Sequence, residues 1–336
     1  MKKYFLSLVF SLCCLPQFSL AFGPDGHQAV GAVADALLAG TKAGEKVKSL
    51  LGGATLEQMS IWADCAKGVS PEKDFAYTSA GRYPECAPFE TPEGMAAMSD
   101  FVRRNNTNCN PAPGEENCHK QYHYTDISLQ HDHYKTGYAG TSDHDIVNAM
   151  QAMVQILEGK QAPKPFNIKD QREALILLTH YVGDAHQPLH VGSIYLDTEG
   201  HVINPDEGKF DKLSNTVGGN ALMCPCGNLH SMWDDVPQNF KKGRMNETLI
   251  KQARTVAKDG SAFEQWPVLW ADDSIKAARV LYQGTAFSKA TISAKGPSWS
   301  IALPLEYEKL MYKMKEDALA NGGAHLAQLL QAIWPE

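Results

Sequence analysis

Apolar residues recur along most of the chain at helical spacing and seldom at the strict alternation of a half-buried strand. Val30, Val33, Ala34, Leu37 and Leu38 put one apolar face on a predicted helix over 28–39. A second helical region covers 56–66, with Asp64 near its C-terminal end. Ile146, Val147, Met150, Met153, Val154 and Leu157 stripe a helix over 143–157, which opens on an acidic turn. The run 173–182 is apolar almost all round, which predicts a buried helix that stops at the Gly183-Asp184 step. A helical turn follows at 228–234, then helices at 249–256, within 261–278 with an interruption at Pro267, at 305–319 and at 323–333. Residues 198–219 read as loop with room for a small hairpin. The pattern changes between 68 and 120, where Pro, Gly, Asn and Cys are dense and only a short helix near 95–104 is expected. That stretch reads as a long insertion-like surface excursion pinned by disulfides, not as a separate domain. The expected fold class is all-α or mainly α, in one domain over 22–336. There is no internal repeat, P-loop or dinucleotide fingerprint.

The first residues change the picture. Lys2 and Lys3 precede an apolar run over 5–15, and Ser-Leu-Ala at 19–21 supplies small residues for cleavage. Residues 1–21 are therefore read as a signal peptide, cut between Ala21 and Phe22, and the protein as secreted or periplasmic. The run falls short of the roughly 20 residues of a membrane span, and a lipoprotein signal or uncleaved anchor is the rival reading. Hydrophobic residues make up 43% of the 336, enough for a sizeable core. The net charge is −7 and becomes about −9 once the two leader lysines are gone, which excludes a basic non-specific nucleic-acid coat. A nucleic-acid substrate stays open, because bound divalent cations add charge that the residue count omits.

Of the eight cysteines, Cys13 and Cys14 leave with the leader. Cys65, Cys86, Cys109, Cys118, Cys224 and Cys226 remain, an even number that in an exported chain suggests disulfides, with about 15 complete pairings open. Cys109–Cys118 would close a short polar loop. Cys224-Pro-Cys226 lacks a partner pair for a zinc half-site and reads better as a disulfide participant. Sequons occur at Asn105 and Asn246.

Spacing then points to candidate chemistry. His180 and Asp184 stand four residues apart, which on a helix puts imidazole and carboxylate on one face. His230 and Asp234 repeat that spacing, and His190 follows a turn at Pro188. A lone His is more often a hydrogen-bonded core residue, and a single pair more often a local polar contact. Two pairs in a His-rich exported chain favour a divalent metal, with zinc well suited to such nitrogen and oxygen donors. Spacing selects no substrate.

Six short motifs go further in combination. They are Gly-x-x-Gly-His27, Trp-Ala-Asp64, Tyr-His123-Tyr-Thr-Asp126, His180-x-x-Gly-Asp184-x-x-Gln-Pro-Leu-His190, Gly-Gly-Asn220 and Asn-Leu-His230-x-x-Trp-Asp234. In this order they resemble the zinc-dependent, single-strand-specific type I nucleases, and more distantly the zinc-dependent bacterial phospholipases C. The resemblance runs from Phe22 to the final helix and is interrupted by 68–120. It implies a phospholipase C/nuclease-like helical fold with long loops and a trinuclear cleft holding three zinc ions. Asp64, His123 and His180 would hold the first, and His190, His230 and Asp234 the second. His27 and the backbone amine and carbonyl of a mature N-terminal Phe22, where the family usually has Trp, would hold the third. Asp184 would bridge the first and third.

The resemblance also implies hydrolysis of single-stranded DNA and RNA to 5′-phosphate products, with 3′-nucleotides as further substrates and no obligate protein partner. Asp64 would orient the attacking water, Lys67 would contact phosphate, and Tyr124 and Asp126 would stack on and hydrogen-bond a base. His325 stands where the family more often has Arg, and His186 is close to the motif without an assigned role. His119, His131, His133, His144 and His201 match no ligand position and are expected to be solvent-facing or locally hydrogen-bonded. A phospholipase C and an exported non-enzymatic zinc-binding protein are the alternatives. An acyl-accepting apolar rim would mark the first, and a Lys67 remote from the ligands the second.

Overall fold

A computed structural model describes residues 22–225, 227–241 and 247–336. Residues 1–21, expected to be a signal peptide, Cys226 and the sequon residue Asn246 lie outside the described residues. Within them the chain is mainly helical. It begins with α1 (Gly23–Leu38), α2 (Lys42–Leu50), α3 (Leu56–Met59) and α4 (Trp62–Ala66). The region 68–120 holds strands β1 (Val69–Ser70) and β2 (Ala76–Tyr77), then α5 (Pro92–Arg104) and α6 (Cys118–Gln121). Strand β3 (Ile127–Ser128) leads to α7 (Ile146–Leu157) and α8 (Gln171–His186), and β4 (Gly192–Ser193) follows. Strands β5 (Leu222–Cys224) and β6 (Gly227–Asn228) precede α9 (Leu229–Asp234), α10 (Glu247–Ala253) and α11 (Trp266–Tyr282). Strands β7 (Ala286–Ser293) and β8 (Gly296–Ala302) and helix α12 (Tyr307–Ile333) complete the order.

Helix α8 is the axis of the molecule. Asp170 caps it by accepting from the Glu173 amide at 2.8 Å, and every residue from Ala174 to His186 is buried. Helices α1, α7, α11 and α12 pack around it. The helix does not stop at Gly183. It runs on until Gln187 turns extended before Pro188, because burial of the last turn outweighs the weak helix preference of one glycine. Pro267 likewise lies in the first turn of α11, where its missing N–H costs no hydrogen bond, and does not interrupt it.

The two helices expected at 305–319 and 323–333 are one. A Cβ on Gly323 would lie 2.4 Å from Val33 Cγ1, so this glycine is a close-packing contact between α12 and α1, not a boundary. The four-stranded sheet, ordered β6-β5-β8-β7, was not expected. Its β7–β8 hairpin has a register shift between Phe287 and Ala290. That bulge breaks the period-two pattern by which a strand is recognised.

The region 68–120 is more than surface. Phe89, Met98, Phe101 and Val102 are buried with Trp62 in the main core. Disulfides Cys65–Cys86 and Cys109–Cys118 tie it down, the latter as the spacing suggested. Asn105 is wholly buried, its amide donating to Phe101 O at 3.1 Å and Asn167 O at 2.9 Å, so that sequon is closed in the folded protein. No helix among the described residues is long and apolar enough to cross a membrane.

Candidate metal centre

Six segments of the chain deliver the ligand candidates to one cleft. Helix α8 supplies His180 and Asp184 on one face, with Nε2 and Oδ2 3.2 Å apart. Helix α1 lies alongside and stacks the His27 ring on His180, centroids 3.7 Å apart. Its Nε2 is 3.1 Å from Asp184 Oδ1. Helix α4 brings Asp64 Oδ1 to 3.6 Å from His180 Nε2 and 3.9 Å from His123 Nδ1. His123, from the segment after α6, places Nδ1 2.9 Å from Asp184 Oδ2. On the other side His190 and His230 approach with Nε2 atoms 3.1 Å apart, and Asp234 Oδ2 is 3.7 Å from His230 Nε2.

The donors fall into three buried groups: His27, His180 and Asp184; Asp64, His123 and His180; and His190, His230 and Asp234. Within each group one ligand atom per residue lies within 4.8 Å of the others. His180 and Asp184 sit where the first two groups meet.

Backbone carbonyls fix the rings. The Nδ1 atoms of His180, His190 and His230 bond Ser60 O at 2.6 Å, His123 O at 2.8 Å and Gly218 O at 2.7 Å. Each carbonyl requires the proton on Nδ1, so the Nε2 lone pair is left facing its cluster. Gln187 Nε2 donates to Asp234 Oδ1 at 3.0 Å and orients that carboxylate similarly. His27 Nδ1 has no hydrogen-bond partner among the described residues, and Nε2 faces only Asp184 Oδ1 at 3.1 Å. A fully buried imidazole in that state, beside converging carboxylate oxygens, is what a metal ligand looks like before its ion is considered. The donor set, imidazole and carboxylate only, suits zinc.

The rings divide electrostatically: burial lowers His180, but Asp184 and Asp64 outweigh it and raise this ring above its ordinary value, whereas three others are lowered. Burial, together with Lys67, pushes His123 down to about 3, and burial pushes His190 to about 3. Burial also lowers His27. These three rings are therefore neutral near pH 7, the form that ligates. Burial pushes the Asp64 carboxyl up, but Lys67 and the imidazoles of His180, His123 and His27 outweigh it and hold it at about 2. For Asp184 burial is likewise outweighed, by His180, His27 and His190, and the carboxyl stays well below its usual range. Both acids are carboxylates at any working pH.

Gly183 makes the α1–α8 contact possible. A Cβ there would lie 2.6 Å from His27 Nδ1. Gly183→Ala is expected to cost about 1–3 kcal/mol through overpacking and to displace His27, so that the purified protein holds fewer zinc ions. Thermal melting with and without chelator, alongside metal analysis, checks both effects. Full metal content in a variant with an unchanged melting temperature would overturn the assignment of His27.

Phe22 is wholly buried at the head of α1, with a left-handed φ of 31°. Its carbonyl accepts from the Gly26 amide at 3.0 Å. Lys67 Nζ lies 2.7 Å from Asp64 Oδ1, and these carboxylates keep it a cation against the opposing effect of burial. Lys67 also reaches a cavity of about 220 Å³ whose walls include His123, His190, His230, Tyr124, Asp126 and Asn220. Asp126 accepts from Asn215 Nδ2 at 2.9 Å, and burial pushes its carboxyl up to about 6.

Residues outside the six motifs complete the site. Glu116 and Lys120 come from the 68–120 region and line the same cavity, where Tyr124 OH donates to Glu116 at 3.2 Å. Lys315, from α12, is buried beneath α9 and donates to Met232 O at 2.7 Å and to Asp235 O. It caps the C-terminal carbonyls of the helix that carries His230 and Asp234, and burial lowers it to about 8. No local pattern marks these residues, which converge only in the folded chain.

The other histidines stand apart from the ligands. His186 bonds Val182 O and His325 Nδ1, each at 2.7 Å, and His325 stacks on Trp270, so neither touches the ligand clusters. His131 and His201 make the local bonds expected of them, to Asp206 and Asp197. His144 is buried and bonded to Asp143 and Gln121. His119 departs from expectation. It is buried against Phe101 with no side-chain hydrogen bond among the described residues, and burial pushes it to about 3.

A search of curated proteins finds no match to the chain. A family model described as S1/P1 Nuclease matches residues 22–335.

Proposed function

From the premise that the chain belongs to the S1/P1 nuclease family and is a zinc-dependent hydrolytic enzyme with three zinc sites, we propose that it hydrolyses single-stranded DNA and RNA. The products would carry 5′ phosphates, and 3′-nucleotides would lose their phosphate at the same site. The exported location, with residues 1–21 removed, belongs to the same reading.

Asp64, His123 and His180 would hold the first zinc and His190, His230 and Asp234 the second. His27, with the amine and carbonyl of a processed Phe22, would hold the third, and Asp184 would be shared between the first and third. When bound, zinc supplies Lewis-acid charge for phosphoryl oxygens and acidifies water at neutral pH.

The chain's own residues supply the rest. The Asp64 carboxylate accepts a hydrogen bond from the attacking water and orients it. The Lys67 ammonium, 2.7 Å from that carboxylate, meets a phosphoryl oxygen as charge builds there. Tyr124 stacks on the base of the nucleoside whose 3′ oxygen departs. Asp126, largely ionised at pH 7, accepts from the base edge. Stacking tolerates any base, and an unpaired strand offers one without duplex opening.

The observation that carries this reading is the 220 Å³ cavity. One wall is the ligand field and the other holds an aromatic ring, a carboxylate and an amide. A phospholipase would need an acyl-accepting apolar rim, whereas this cavity is lined by Lys67, Glu116, Lys120, Tyr124, Asp126 and Asn220, with Leu189 and Val217 as its aliphatic side chains. Lys67 stands at the ligands, opposite to the mark of a non-enzymatic zinc protein.

Processed protein should cleave single-stranded DNA and RNA well ahead of duplex DNA, leave phosphatidylcholine intact and contain three zinc ions. Product analysis by chromatography, with metal analysis of the same sample, checks this. Preferential lipid cleavage would overturn the reading.

A further inference from the structure

A second cavity, of about 260 Å³, lies on the other side of Lys67 and is built largely from the 68–120 region. It shares Lys67 and Lys120 with the first cavity and reaches Asp64. The two chambers therefore meet at the pair of lysines, one touching His123, His190 and His230 and the other touching Asp64.

The second chamber is firmly constructed. Strands β1 and β2 pair Val69 with Tyr77, and the Thr78 amide donates to Gly68 O at 2.9 Å. A Cβ on Gly68 would lie 2.9 Å from Ser79 Cβ and 2.7 Å from Tyr77. The bare backbone after Lys67 thus lets the 76–79 segment close over it. The Cys65–Cys86 disulfide ties α4, which carries Asp64, to the opposite wall. On that wall the Arg82 guanidinium stands 5.2 Å from the Tyr83 ring centre, a flat surface on which a base can stack.

A phosphodiester carries a nucleoside on each side of its phosphorus, and the first cavity accounts for only one. We infer that the second cavity receives the other nucleoside, the one that keeps the 5′ phosphate after hydrolysis. Its chemistry suits a neutral nucleoside better than a further phosphate. Glu72 and Glu85 can accept from base edges and sugar hydroxyls, and with Asp64 they offset Lys67, Arg82 and Lys120, so the chamber carries no net positive charge to draw a further phosphate. The inference rests on the nuclease reading of the adjoining site.

The test compares two diesters that share a base, a departing 3′ oxygen and a phosphorus: a dinucleoside monophosphate and a nucleoside 3′-(methyl phosphate). Only the first has a nucleoside for the second cavity. The wild-type protein should prefer it in kcat/KM. Arg82→Ala, at an exposed position, and Ser79→Trp, which fills the chamber, should each lower kcat/KM for the dinucleotide about tenfold more than for the methyl diester, the scale of one lost base contact. Most of the change should appear in KM. Equal losses on both substrates, no loss on either, or no wild-type preference would overturn the subsite while leaving the nuclease reading intact. Failure of the wild type to cleave either diester would sink the nuclease reading and the subsite with it.

Discussion

Asp184→Asn should reduce turnover on single-stranded DNA by about 10²- to 10⁴-fold, if the 3–5 kcal/mol lost when one partner leaves a buried charged network falls on the transition state. It should also lower the zinc content from three ions towards one. The side chain is wholly buried, with Oδ2 2.9 Å from His123 and 3.2 Å from His180, and Oδ1 3.1 Å from His27. One carboxylate thus lies within 3.2 Å of ligand candidates from two of the three clusters. The amide is nearly the same shape, so packing is retained while the charge is lost. Half of its head group also becomes an N–H donor, which cannot ligate. Metal analysis and steady-state rates check the prediction, and circular dichroism separates it from unfolding. A variant that keeps three ions and wild-type turnover would remove Asp184 from the centre.

Retention of residues 1–21 should have the next largest effect. A free amine at Phe22 can donate its lone pair once deprotonated, whereas a peptide nitrogen at the same place is a poor ligand. Phe22 lies five residues before His27 and is buried at the head of the same helix. Protein with the leader attached should therefore hold two zinc ions and lose at least about 10²-fold in activity, since each catalytic ion supplies several kcal/mol of transition-state stabilisation. Proteolytic removal of the leader in the presence of zinc should restore both. Three ions bound with the leader in place would exclude Phe22 as a ligand, and the centre would then rest on side chains alone.

The parts of the centre legible in the chain were those set by local geometry. His180 and Asp184, and His230 and Asp234, were placed together from a four-residue spacing. The folded chain brings each pair to within 3.2 Å and 3.7 Å, because the helix repeat alone fixes that neighbourhood. The Cys109–Cys118 disulfide was readable for the same reason, as a short loop. His27, Asp64 and His123 were reached only through the family resemblance, since each arrives from a different element. For His27 the approach depends on a missing Cβ at Gly183 and on its stacking against His180 of α8.

The misread boundaries share one cause. Gly183 and Gly323 looked like helix ends by intrinsic preference, yet each lies inside a buried helix at a point of close approach. Preference is worth about 1 kcal/mol per glycine, and the burial gained by continuing the helix exceeds it.

By itself, then, the sequence determined a mainly helical chain, two His/Asp pairs on helix faces and a disulfide loop, all consequences of repeats a few residues long. With the resemblance it also carried the full ligand roster. Only the tertiary structure decided that His180 belongs to two clusters, that backbone carbonyls turn three imidazoles inward, and that the 68–120 region walls a second chamber against Lys67. Those features join residues from distant segments. They exist only where buried surfaces leave room for one arrangement, and no short-range pattern records that room.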